Sequence, residues 1–144
     1  VQIDNRYYKS KRRDELCVSL AGIVMNLLLA FIFSLILRFW FTFYNDSAIN
    51  PDSFQGIITT IIIDIISINV VLAVFNLIPV PPLDGFAIIN NLFNLEKFNW
   101  YHSLYSNGFI ILLLLLVTGV ITMIMTPITK WLNYLFLFKI SAGM

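Results

Sequence analysis

A break in a long apolar run is encoded by the stretch Asn76-Leu77-Ile78-Pro79-Val80-Pro81-Pro82-Leu83-Asp84-Gly85. Proline has no N–H to donate and holds the residue before it in extended conformations, so a helix entering this stretch must end near Ile78. In a bilayer, unwound backbone is tolerated only against protein or a water-filled cavity. Asp84 is therefore expected beside such a cavity, where its carboxylate could hold a metal ion or, alternatively, cap the next helix.

The composition is that of a membrane protein. Hydrophobic residues make up 59% of the 144 residues and charged residues only 12%, against about 25% charged in an ordinary soluble domain. Three apolar stretches approach or exceed the roughly 20 residues that cross a bilayer, at 16–37, 57–78 and 109–126. Because lipid offers no partners for backbone polar groups, these stretches should be helices. The sequence predicts an all-α membrane protein with three transmembrane helices in a single domain, residues 1–144.

The distribution of basic residues predicts the orientation. Five precede the first span and only Arg38 lies in the first loop between spans, which favours a cytoplasmic N-terminal segment. With three spans, the Asp84 stretch would then face the cytoplasm, and the tail from Lys130 would lie outside. The basic segment is too short, and too close to the membrane, to indicate nucleic-acid binding. The five residues are Arg6, Lys9, Lys11, Arg12 and Arg13.

Two motifs resemble those of one enzyme family. The Asn76–Gly85 stretch resembles the N-x-x-P-x-P-x-L-D-G signature of the site-2 protease family, which are intramembrane zinc metallopeptidases. The segment from residue 20 to 30 is similar to the A-G-P-x-x-N-x-x-L-A segment of bacterial members, with Gly22 and Asn26 matching and Ile23 in place of the proline. Taken without the family, these residues belong to a stripe that indicates close helix packing: Ser19, Gly22, Asn26, Ala30 and Ser34.

Two weaker similarities flank these motifs. Residues 5–15 are similar to a connector of small bacterial members, although Arg6 stands where proline is usual. After the Asp motif, residues 85–98 are expected to form a short re-entrant or interfacial helix. Phe86 occupies the place of a family glycine there, and its ring is expected to narrow the site.

The resemblance implies a role for each matching residue. Asp84 would be the third zinc ligand, and the amide of Asn76 would bind the scissile carbonyl of a substrate, as a donor aimed at a developing oxyanion does. The remaining motif residues would shape the site. These are Gly22, Asn26, Pro79, Pro81 and Gly85.

The zinc site implied by the resemblance is incomplete in this sequence. A catalytic zinc needs about three protein ligands and a base, and the family takes two histidines and a glutamate from an H-E-x-x-H helix. No such motif occurs between Val1 and Met144, and the single histidine, His102, lies in an aromatic stretch typical of a membrane interface. The two histidines are therefore expected upstream of Val1, in a longer protein, and the sequence alone is expected to be inactive.

Three hypotheses of function remain open on the sequence. The first is part of a zinc endopeptidase of the bacterial cell membrane, acting on membrane-spanning proteins or peptides. The second is a non-catalytic membrane scaffold of the same family. The third is an unrelated channel or transporter fragment that uses Asp64 and Asp84 as an ion path. If Asp64 is not part of an ion path, it is expected to have a structural role, facing inward about two turns from the outer end of its span.

Overall fold

The computed structural model describes residues 11–43 and 52–141, and every regular element in these two ranges is helical. The predicted connector residues 5–9 lie outside the described residues. The all-α fold class predicted from the sequence is confirmed. The elements in chain order are α1 (Lys11–Phe43), α2 (Phe54–Asn76), α3 (Asp84–Phe93), one 3₁₀ turn (Leu95–Lys97), α4 (Trp100–Val117) and α5 (Val120–Ser141).

Four of these helices, α1, α2, α4 and α5, are long and apolar enough to cross a membrane, so the chain is an integral membrane protein. The first two correspond to the predicted spans 16–37 and 57–78. The predicted third span, 109–126, instead contains the end of α4 and the start of α5. Gly119 there has a φ of 75°, a left-handed conformation that ends a right-handed helix and that glycine adopts without steric cost. The described residues therefore contain four candidate spans where the sequence predicted three.

The core forms between α1 and α2. Ala30 and Leu37 of α1 are fully buried against α2, and the absence of a large side chain at Ala30 lets the two helices approach closely. The cluster is covered on one side by α5. The buried residues of α2 in the cluster are Ile62, Ile66 and Val70, and the α5 side chains packed on it are Leu132, Phe136 and Leu137.

The predicted stripe of small residues on α1 divides into two parts. Ser19, Ala30 and Ser34 are buried and take part in helix packing. Gly22 is exposed and Asn26 is half-buried, so these two residues lie at the edge of the helix interface. They are the two that match the family motif, and they remain accessible to a neighbouring group.

Asp64 lies in the middle of α2 and not near its end. The helix begins at Phe54, earlier than predicted, so Asp64 is the eleventh of 23 residues and about 15 Å from the first residue of the helix at 1.5 Å per residue. The side chain is exposed, and not inward-facing as expected, on a face that it shares with exposed Ile57, Ile61 and Ile68. Asn69, by contrast, donates a 2.8 Å hydrogen bond to Ile65 O of its own helix.

Candidate metal centre

The proline stretch forms a short loop between two helices. α2 ends at Asn76, two residues before the predicted end, and α3 begins at Asp84. Hydrogen bonds from Leu77 N to Val74 O (3.2 Å) and from Ile78 N to Phe75 O (3.1 Å) close the last turn of α2. Near the other end of the loop, Leu83 N donates to Val80 O at 2.9 Å. These short-range bonds satisfy backbone groups that the prolines remove from a helical ladder.

Gly85 allows α3 to start directly against the end of α2. A Cβ atom at Gly85 would lie 2.7 Å from Ile78 O and closer still to the carbonyl group of Leu77. Backbone atoms cannot move aside as a flexible side chain can, so only glycine fits here. The contact brings Asp84 back to the last turn of α2, where Asn76 lies.

Gly22 places α1 beside the carboxylate. A Cβ atom built at Gly22 would lie 3.5 Å from Asp84 Oδ2, an ordinary van der Waals distance. Asn26 follows one turn later on the same face of α1. The fold thus gathers the two motif segments, which are about sixty residues apart in the chain, at one end of the α1–α2 pair.

The carboxylate of Asp84 is open to a ligand. The N-cap of α3 is Leu83, in an extended conformation, and no side chain caps this helix. Asp84 is therefore the first residue of the helix itself, not its cap, and the helix dipole favours its negative charge. Among the described side chains, those of residues 14–43 and 52–137, the carboxylate of Asp84 has no hydrogen-bond or ion-pair partner, although the residue is half-buried. A half-buried carboxylate without a protein partner is a suitable ligand for a cation.

Asp84 alone would not make a complete metal site. The described parts of the chain contain no group of three or more His, Cys, Asp or Glu residues that could hold a metal ion. His102 is exposed, and its ring contacts that of Tyr101 edge-on, with 5.5 Å between centroids. A carboxylate oxygen is one of the donors that zinc accepts, so the chemistry of Asp84 fits this metal, and a zinc site here would need further ligands from outside the described residues.

Phe86 does not narrow the site, contrary to the prediction. Its ring is buried and stacks on Tyr101 of α4, with 5.9 Å between centroids and 18° between planes. Phe86 follows Asp84 by two positions, which is about 200° of rotation around a helix. Its side chain therefore lies on the side of α3 away from Asp84. The ring joins α3 to α4 instead.

The contact between α4 and the proline loop was not predicted from the sequence. Gly108 is buried against Pro81, which is itself fully buried. A single glycine inside a Leu-rich helix was the only available signal, and a buried close approach is one of the reasons for such a glycine.

The chain matches the sequence model of Peptidase family M50 over residues 1–117, and it therefore belongs to that family, the site-2 protease family that the motifs indicated. It is 35% identical over 131 residues to "Putative zinc metalloprotease YwhC" of Bacillus subtilis (strain 168), a match that covers 88% of this chain and 57% of the relative. The chain thus spans little more than half of that relative's length. No solved structure matches the chain.

Proposed function

We propose that this chain is the part of an intramembrane zinc metalloendopeptidase that supplies one metal ligand, Asp84, and one substrate-binding residue, Asn76. The observation that carries the proposal is the half-buried carboxylate of Asp84, which has no partner in the described ranges and faces Gly22 of the second family motif. Membership of the M50 family and similarity to a protein named as a zinc metalloprotease support the choice of metal and of reaction.

The residues of this chain act by binding and orienting. When bound, zinc polarises a peptide carbonyl and activates water for its hydrolysis. Asp84 contributes negative charge to the metal from a rigid helix start. Asn76, at the end of α2, donates an amide N–H to the oxygen of the scissile carbonyl as negative charge develops there. Its side chain has no hydrogen-bond partner among the described residues, so this donor is free for substrate.

The remaining zinc ligands belong to a segment outside this sequence. Two histidines of an H-E-x-x-H motif, one turn apart on a helix, present both imidazoles to one side, and its glutamate serves as the base. We place this motif upstream of Val1 in the full-length protein. Residues 1–144 would then be inactive by themselves.

The substrate is a membrane-spanning protein or peptide, and the enzyme is placed in the bacterial cell membrane. The five basic residues that precede the first candidate span, Asp14–Phe43, support a cytoplasmic N-terminal segment. Since α1 and α2 both cross the membrane, the Asp84 loop would lie toward that same side, within reach of cytoplasmic water.

The proposal is tested by removing and restoring the metal. The full-length protein, purified in detergent, should hold about one zinc per chain and cleave a transmembrane peptide. Cleavage should fall to background after zinc is removed with a chelator and return when zinc is added back. Cleavage that persists without zinc would contradict the mechanism. A well-folded full-length protein that binds no zinc would instead identify a non-catalytic scaffold of the family.

Replacing Asn76 by Ala in the full-length enzyme should lower kcat about 100- to 1000-fold, the effect of removing one oxyanion donor, with little change in zinc content. The control is Asn69→Ala, two turns earlier on the same face of α2, because the amide of Asn69 is engaged by Ile65 O. The measurements are kcat from steady-state kinetics and the zinc content of both variants. A loss of zinc in Asn76→Ala, or equal effects of the two substitutions, would contradict the assigned role.

A further inference from the structure

The contact between α4 and the proline loop leaves no room for a side chain. A Cβ atom at Gly108 would lie 2.5 Å from Pro81 Cβ and 2.8 Å from Pro81 O. Both distances are below those that real Cβ atoms adopt, and two of the nearest atoms belong to the backbone of Pro81. Any larger residue at position 108 must therefore displace either α4 or the loop.

The loop is also held at its start. Gly85 packs against the carbonyl groups of Leu77 and Ile78 with no space for a Cβ atom. The loop, residues 77–83, is thus held by α4 at its buried residue Pro81 and by the start of α3 at Leu77 and Ile78. A displacement of Pro81 by α4 acts between these two fixed points, on a short segment that joins two helix ends. Those ends carry Asn76 and Asp84.

The same face of α4 also contacts α3. Tyr101 lies seven residues before Gly108, which is two helical turns, and its ring stacks on Phe86. Its hydroxyl is 3.4 Å from Nδ2 of Asn90, which donates a hydrogen bond to it. α4 therefore contacts the loop before Asp84 through Gly108 and the helix after Asp84 through Tyr101.

We propose that Gly108 is a positioning residue for the Asp84 site: by admitting direct contact between α4 and Pro81, it fixes where the loop sets Asp84 relative to Asn76 and Gly22. The inference rests on the proposed function, because it assigns α4 to the support of the metal site. Groups that support metal ligands typically change metal affinity or activity by about 10- to 100-fold when replaced.

The test substitutes Gly108→Ala in the full-length protein. Zinc affinity is measured by competition with a chelator, and the geometry of the metal is followed by the visible absorption of the cobalt(II)-substituted protein. We expect zinc affinity to fall about 10- to 100-fold and the cobalt absorption to change in position and intensity. The unfolding temperature in detergent, measured in parallel, reports whether the variant is folded.

The matched control is Leu112→Ala, at a buried position one turn beyond Gly108 on α4. This substitution should lower the unfolding temperature, because it leaves a cavity, but should keep the zinc affinity and the cobalt spectrum of the wild type. If Leu112→Ala reduced zinc affinity as much as Gly108→Ala, the effect would be general loosening of α4 and the proposal would be overturned. Wild-type zinc binding in folded Gly108→Ala would overturn it equally.

A second variant covers the case in which Gly108→Ala does not fold. Tyr101→Leu removes the ring that stacks on Phe86 and leaves Gly108 in place, and it should weaken zinc binding in the same direction by a smaller factor. A folded Tyr101→Leu protein with the wild-type affinity and spectrum would then overturn the proposal. Asp84→Asn is measured alongside, so that a failure of the proposed function can be distinguished from a failure of this inference. If Asp84→Asn retains zinc, the proposed function has failed, whatever the result for Gly108→Ala.

Discussion

Replacing Asp84 by Asn in the full-length protein is expected to reduce zinc affinity by more than about 100-fold and to abolish peptide cleavage. Groups that only support a metal ligand are worth about 10- to 100-fold, so the loss of a ligand itself should exceed that range. Asparagine keeps the shape of the side chain but removes the negative charge that faces the metal. The measurement is zinc content after dialysis at defined free zinc, together with the cleavage rate of a transmembrane peptide.

The control for this substitution is Asp64→Asn, the same chemical change at an exposed position in the middle of α2. It should leave zinc content unchanged, because Asp64 lies about three turns from the loop end of that helix. Unchanged zinc content in Asp84→Asn would show that Asp84 is not a ligand. Equal zinc loss in both variants would indicate a general electrostatic effect and not the loss of a ligand.

The second large effect is expected from Gly85→Ala, on folding. The added methyl group would lie within 2.7 Å of Ile78 O and closer to the carbonyl of Leu77, so α3 must shift away from the end of α2. Overpacking of this kind costs about 1–3 kcal/mol in a rigid environment and occasionally more, and contact with backbone places this site at the upper end. Unfolding of the full-length protein in mixed detergent micelles measures the change.

Gly22→Ala is the matched control, because both glycines are helical and adjoin the same carboxylate. A methyl group at Gly22 would meet Asp84 Oδ2 at 3.5 Å, an ordinary contact. Removing a glycine from a helix interior is favourable by about 0.5–1 kcal/mol, so this variant should be as stable as the wild type or slightly more stable. If Gly85→Ala proved equally stable, the close contact between α3 and the end of α2 would be wrong.

Much of the site could be predicted because its sequence signals are local. Three prolines in four residues cannot continue a helix, and the structure ends α2 at Asn76, beside them. The family motifs predicted that Gly22 and Asp84 belong to one site, and the fold places Gly22 in contact range of Asp84. The roles of Asp84 as ligand and of Asn76 as substrate donor remain predictions, since they concern groups that this chain does not contain.

The features that were missed depend on single glycines or on helix ends. In the apolar run from 109 to 126, the left-handed turn is marked only by Thr118 and Gly119 themselves, and an isolated glycine inside a helical pattern is also tolerated. The role of Gly108 could be identified only from its contact with Pro81, which is distant in sequence. The depth of Asp64 was misjudged because α2 starts early, at a Ser53 cap whose hydroxyl accepts from Gly56 N at 3.1 Å. That cap is a recognisable local signal.

The most direct test of Asp84 as a zinc ligand is X-ray absorption at the zinc edge of the full-length protein carrying Asp84→Cys. A thiolate in place of the carboxylate should add one sulfur neighbour at about 2.3 Å, in a shell that otherwise contains nitrogen and oxygen at about 2.0–2.2 Å. We expect this sulfur neighbour in the variant and not in the wild type. Zinc bound at full stoichiometry in the variant, with no sulfur in its shell, would contradict the assignment of Asp84 as a ligand.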